Sequence, residues 1–159
     1  MKLLDRVVLP LRVLLVLLLA GLVFGQLVSI PGQFAHLAQE EPDLAHLRWP
    51  LTAFFVLEVL ALQVVVVCTW RLLSLAHADR IFSAEAFAWV DGIVGAIAAA
   101  WLLYAAGAAW AIAQADDPGT PILLIGVGLV GGVVTLVLVV MRALLHQATD
   151  LRLELEAVI

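Results

Sequence analysis

The chain has a single cysteine, Cys68, and it lies inside a long apolar run. Neither an intrachain disulfide nor a Cys-x-x-Cys redox pair can form, which excludes the quinone-linked four-span enzymes that make disulfides. Charge is scarce as well: Asp, Glu, Lys and Arg supply 13% of 159 residues, against roughly a quarter in a soluble domain. A formal net charge of −5 leaves no basic surface for nucleic acid. None of the 4 histidines falls in the core of an apolar run, where the paired haem ligands of membrane cytochromes sit. His36 and His46 also lack a recognised metal-ligand spacing. No nucleophile stands beside a base, no phosphate-binding loop occurs, and there is no internal repeat or low-complexity tract. These absences set aside a soluble enzyme, a disordered tail and a nucleic-acid-binding module. The expectation is a protein that is not an enzyme and carries no metal or cofactor.

What is abundant is apolar sequence, 65% of the chain. It falls in four runs of about 20 residues or more, the length at which a helix crosses a bilayer. The fold expected is all-α: one integral membrane domain over 1–159, a four-helix transmembrane bundle with spans near 7–30, 50–76, 84–114 and 121–145. A helical tail, 146–159, follows. The first run sits behind a basic flank and also has the look of a signal peptide; it is read as a helix that stays. Pro50 suits a first helical position, and Ser83 suits an N-cap with Glu85 in the turn after it. The fourth span is expected to start at Pro121.

Basic residues give the orientation. Of the 8 Lys and Arg, only Arg48 falls on one side; Lys2, Arg6, Arg12, Arg71, Arg80, Arg142 and Arg152 fall on the other. The positive-inside rule then puts both termini in the cytoplasm. The connection 115–120 is a tight outer hairpin, so spans three and four are antiparallel neighbours, and the short inner connection near 77–82 pairs spans two and three. The longer outer segment 31–49 places Phe34 and Leu37, then Leu44 and Leu47, as two short interfacial helical turns on the membrane surface. Trp49 and Trp110 fit an outer aromatic belt, Trp70 and Trp89 an inner one.

Polar residues within the spans are the candidates for chemistry, because a charge there is costly unless paired. Glu58 lies eight residues past Pro50, about 12 Å below the outer boundary. Tyr104 and Trp101 reach comparable depth on the third span, so a Glu58–Tyr104 hydrogen bond with Trp101 packed beside it is expected. Such a site reads either as a carboxylate coupling a proton or cation to transport, or as a neutral side chain gluing helices together. Asp91 sits two turns into the third span, near the depth of Arg12, Arg71 and Arg142, and an inner-boundary ion pair with one of them is expected. Gln63 and Thr135 are read as inter-helix hydrogen-bonding partners.

Small residues recur on spans three and four: Gly92, Ala96 and Ala100 at four-residue steps, and Gly128-x-x-x-Gly132. In lipid such surfaces let backbones approach closely, within the bundle or across a dimer seam. Beyond the fourth span, Leu144, Ala148, Leu151, Leu155 and Val158 recur at heptad spacing. Arg152 and Glu156 are four apart on another face. This tail either packs on its own inner loop or on lipid headgroups, or docks a cytoplasmic protein or a second copy, with Leu151, Leu155 and Val158 as the contacts.

The junction Asp79-Arg80-Ile81-Phe82-Ser83, followed by Ala86-Phe87-Ala88-Trp89-Val90-Asp91, resembles the signature of a bacterial four-span family catalogued as domain of unknown function 2975. The ending, Met141-Arg142-Ala143-Leu144-Leu145 and then 151–159, is similar to the close of its members. The resemblance spans essentially the whole chain and implies a bacterial inner-membrane protein with no catalytic residues to carry over. Some members are encoded beside a small helix-turn-helix regulator, which implies a regulatory role linked to the membrane. The function expected is sensing or anchoring with a cytoplasmic partner, a transcription regulator by this resemblance. The alternative is a small proton- or cation-coupled transporter, as a monomer or a dimer, that uses Glu58.

Overall fold

The computed structural model describes residues 2–78, 80 and 83–158, with side chains from Val7 onward. Asp79, Ile81 and Phe82 of the junction motif, Ile159, and the side chains of Lys2 and Arg6 lie outside the described residues. The helices are α1 (Lys2–Phe24), α2 (Ile30–Glu40), α3 (Arg48–His77), α4 (Ala84–Ala113) and α5 (Gly119–Val158). A π turn, Gly25–Ser29, joins α1 to α2, and a 3-10 segment, Pro42–Leu47, leads into α3. Four helical stretches are long and apolar enough to cross a membrane: Val7–Glu40, Pro42–His77, Ala84–Ala113 and Gly119–Val158. The protein is therefore an all-α, multi-pass membrane bundle.

Two helix starts follow from side-chain caps. Ser83 is extended (φ −87°, ψ 154°) and its hydroxyl accepts the Ala86 amide at 3.3 Å, as its position before the third span predicts. At α5 the carboxylate of Asp117 accepts the Thr120 amide at 2.8 Å. That cap starts the helix at Gly119, ahead of the Pro121 expected from the apolar run.

The first span departs further from expectation. Its helix runs on past residue 30 to Glu40, so Phe34 and Leu37 belong to a continuation of the first long helix. The second of the two short turns expected, Pro42–Leu47, is a 3-10 segment that runs directly into α3, so neither stands apart from a long helix. The physical reason lies at Pro31. A proline inside a helix lacks an N–H and presses on the carbonyl four residues back, which usually stops the helix. Here the π turn just before it opens the ladder, and the Ile30 amide reaches Gly25 five residues back.

Contacts between side chains set the register. Arg12 meets Ser74, Gln26 meets Gln63, and Phe34 stacks on Phe55, so α1 and α2 together run antiparallel along α3. Gly92 of α4 lies against Cys68, and Gly107 against Phe54. Between α4 and α5, Phe87 stacks on His146, and Trp101 bonds the Gly128 carbonyl. The helices thus pack in chain order, α3 and α4 at the centre, with both chain ends at one end of the bundle. That end is called proximal below, and the opposite end distal. The outer helices α1 and α5 leave most apolar side chains uncovered, as lipid contact permits.

Glycines make the central contacts close. A Cβ added at Gly107 would stand 2.6 Å from the Phe54 ring, and one at Gly131 2.9 Å from Trp101. These small residues serve packing within the bundle, where van der Waals contact replaces the hydrophobic effect as the associating force.

Candidate functional site

A cleft of about 780 Å³ opens in the distal half, between α3, α4 and the start of α5. Leu51, Phe54, Phe55, Tyr104, Trp110 and Leu124 give it apolar and aromatic walls, and Glu58 is its one charged residue. Oε1 of Glu58 is buried with no hydrogen-bond partner among the described residues.

The expected Glu58–Tyr104 bond is not made. The Tyr104 hydroxyl donates to the Leu124 carbonyl at 3.0 Å, and Trp101 Nε1 donates to the Gly128 carbonyl at 2.8 Å. Both aromatic residues thus tie α4 to α5. Tyr104 still lines the cleft with Glu58, whereas Trp101 packs on the backbone of Gly131 and Gly132, outside it. Depth along the helices was legible from residue counting; the direction in which Tyr104 points around α4 was not.

The proximal half treats its carboxylate differently. Nε of Arg142 donates to Oδ1 of Asp91, and Nε2 of His146 lies 3.8 Å from the same oxygen, beyond hydrogen-bonding reach. The His146 ring stacks on Phe87 at 4.6 Å. Of the three arginines offered as partners, Arg142 is the one that pairs. Arg12 instead donates to the Ser74 hydroxyl at 3.4 Å and sits 5.5 Å over Trp70, while Arg71 sits 5.6 Å over Trp89. Chain-order packing removes Arg12, because α5 lies on α4 whereas α1 lies on α3; Arg71, on α3 beside α4, lies over the Trp89 ring. His146 joins this group unforeseen, although its position four residues after Arg142 puts both on one helix face.

Between the two halves, Gln63 Nε2 donates to Gln26 Oε1 at 2.7 Å, and Gln26 Nε2 donates to the Val56 carbonyl at 3.3 Å. Gln63 is the inter-helix partner expected, whereas Thr135 donates to the Gly131 carbonyl of its own helix at 2.8 Å. Gln26 went unnoticed; the signal was a lone amide side chain in the first apolar run, inside the π turn. The two distal histidines have separate local partners, Glu40 for His36 and the Asp43 carbonyl for His46.

α5 continues unbroken into the tail. Leu151, Leu155 and Val158 are 61%, 68% and 85% exposed, so the tail does not fold back to cover its stripe on the proximal connection. Arg152 and Glu156 form the i,i+4 pair at 3.2 Å.

Residues 32–159 match the family described as "Protein of unknown function (DUF2975)". The match covers most of α2, all of α3 to α5, and the tail. No curated protein and no solved structure matches the chain.

Proposed function

The chain belongs to the family described as "Protein of unknown function (DUF2975)", and we propose that it is a non-enzymatic membrane sensor or anchor that holds a cytoplasmic protein through its C-terminal helix. One observation carries this reading: α5 leaves the bundle as an unbroken helix with an uncovered apolar stripe. α5 has 40 residues, more than the roughly 30 Å of a hydrocarbon core requires, and the part beyond residue 145, about 20 Å, extends past the expected span. There Leu151, Leu155 and Val158 are exposed and cost free energy until a partner covers them.

Charge narrows the partner. Asp150, Glu154 and Glu156 outnumber Arg152 on the tail. An anionic inner leaflet attracts basic helices and repels an acidic one. The occupant that fits is a protein with an apolar groove rimmed by Lys or Arg. A small transcription regulator is the partner class that the family resemblance implies. The distribution of basic residues supports a cytoplasmic proximal end in a bacterial inner membrane, with α2 and Pro42–Leu47 near the outer surface.

Purification of the full chain in native lipid, beside Leu151→Asp/Leu155→Asp, tests this. A stoichiometric cytoplasmic protein lost in the double variant is the expected result. Recovery of no such protein, or of the same one from both chains, overturns it. A second reading, a small proton- or cation-coupled transporter, draws on Glu58, whose Oε1 is buried in the distal cleft. Cation-driven proton flux in proteoliposomes, abolished in Glu58→Gln, would support it.

A further inference from the structure

We propose that the distal cleft binds an organic monocation with bulky apolar substituents, a quaternary ammonium or phosphonium, with its charge against the Glu58 carboxylate. The inference names a ligand class for this site and is independent of the tail. It holds whether or not the bound cation is then carried across the membrane.

Three observations converge. The first is size: about 780 Å³ lies within the range of small-molecule pockets, about 300–1,000 Å³. The second is the wall. Phe54 and Phe55 meet edge-on at 5.3 Å, and with Tyr104 and Trp110 they line a cleft that is otherwise aliphatic. Aromatic faces carry negative potential and attract cations, most strongly where water is excluded. The third is the carboxylate. Glu58 Oε1 is buried without a hydrogen bond, and the Tyr104 hydroxyl that lines the same cleft is already engaged with the Leu124 carbonyl. A buried carboxylate is stabilised as an ion only by a hydrogen bond or a countercharge, and the bundle supplies neither at this oxygen among the described residues.

The shape of the ligand follows from the same residues. One carboxylate matches one positive charge. A small inorganic cation would leave the aromatic walls unused and lacks the further oxygen ligands it demands. A primary ammonium would bring three donors to a cleft whose one charged acceptor is a single carboxylate. A quaternary centre has no donors to satisfy and presents only apolar surface around its charge. The choline headgroup of a phospholipid shares that chemistry. Its phosphate would have to follow it about 12 Å below the boundary, a depth at which an unpaired anion is costly.

The test uses the full chain in phosphatidylcholine nanodiscs, where choline headgroups are in large excess. Tetraphenylphosphonium and tetraphenylborate have nearly the same size and shape and opposite charge. Saturable binding of the phosphonium alone, at one per chain above protein-free discs, is expected. Glu58→Gln should weaken it by about tenfold or more, since truncating one member of a buried charge pair is expensive. Ala108→Leu, which narrows the cleft and leaves the carboxylate in place, should weaken it as well. Equal binding of both probes, no saturable phosphonium binding, or unchanged affinity in Glu58→Gln each overturns the proposal. Unchanged affinity in Ala108→Leu moves the binding elsewhere and overturns it too.

Discussion

The two halves of the bundle each hold a carboxylate, and they treat it in opposite ways. In the proximal half Asp91 receives the Arg142 guanidinium, with His146 close by. In the distal half Glu58 faces aromatic walls, and its Oε1 has no partner among the described residues. The proximal carboxylate belongs to the packing of α4 on α5. The distal one contributes no such bond and is left to interact with something that enters the cleft. A charged residue in a membrane bundle therefore needs its partner identified before it is given a role; depth alone does not distinguish the two.

The largest effect should come from breaking the paired half. Arg142→Leu removes the guanidinium that bonds Asp91 and leaves only His146, 3.8 Å away. Folded yield in nanodiscs and the thermal midpoint should both fall, and adding Asp91→Asn should recover much of the loss, because an unpaired charge within a span is costly. Glu58→Leu orphans nothing and should leave both readouts near those of the parent chain. Similar losses from Arg142→Leu and Glu58→Leu would erase the distinction between the halves.

A smaller loss is expected from the wall of the distal cleft. Gly107→Leu drives a side chain into the Phe54 ring and should destabilise the bundle by about 1–3 kcal/mol, the usual cost of overpacking. Gly95 on the same helix has nothing within 4 Å of an added Cβ, so Gly95→Leu should be close to neutral. Detergent-induced unfolding of the two variants side by side measures the difference. Smaller again is the bond between the halves: Gln26→Leu should cost about 0.6 kcal/mol, the average for polar contacts between membrane helices. If the bond is the cause, Gln63→Leu should add almost nothing to Gln26→Leu in a double-mutant cycle.

Much of this arrangement was legible from residue order. Apolar run length identified the four long helices, and the short connections fixed α3 beside α4 and α4 beside α5. Counting along the helices put Glu58 level with Tyr104, and the two line one cleft; it put Asp91 level with Arg142, which bonds it. What counting lacks is direction around the axis and the order of neighbours across the bundle. Tyr104 points to the Leu124 carbonyl, a backbone acceptor that no side-chain pattern advertises. Arg12 was a fair partner for Asp91 by depth and fails because α1 packs on α3. The first span, expected to end near residue 30, continues through Pro31, because the rule against proline in helices assumes a regular ladder and the π turn at Gly25–Ser29 breaks that assumption.

A third carboxylate marks the weak end of the comparison. Asp117, in the distal connection, is not ion-paired among the described residues and is exposed, unlike the half-buried Glu58; it caps α5 by accepting the Thr120 amide at 2.8 Å. That backbone hydrogen bond holds its carboxyl below the ordinary range, which for Asp is near 3.9. Since the folded value is the lower one, the cap contributes fully above the ordinary range and is lost as pH falls through the lowered value. Being fully solvated, it should move the overall stability least of all the groups discussed. Its titration is best read locally, from the Thr120 amide resonance of the full chain in nanodiscs. The resonance should shift on acidification with a midpoint below about 3.9, and the shift should vanish in Asp117→Asn. A midpoint at or above the ordinary value would mean that the amide does not hold the carboxylate, and that α5 begins without this cap.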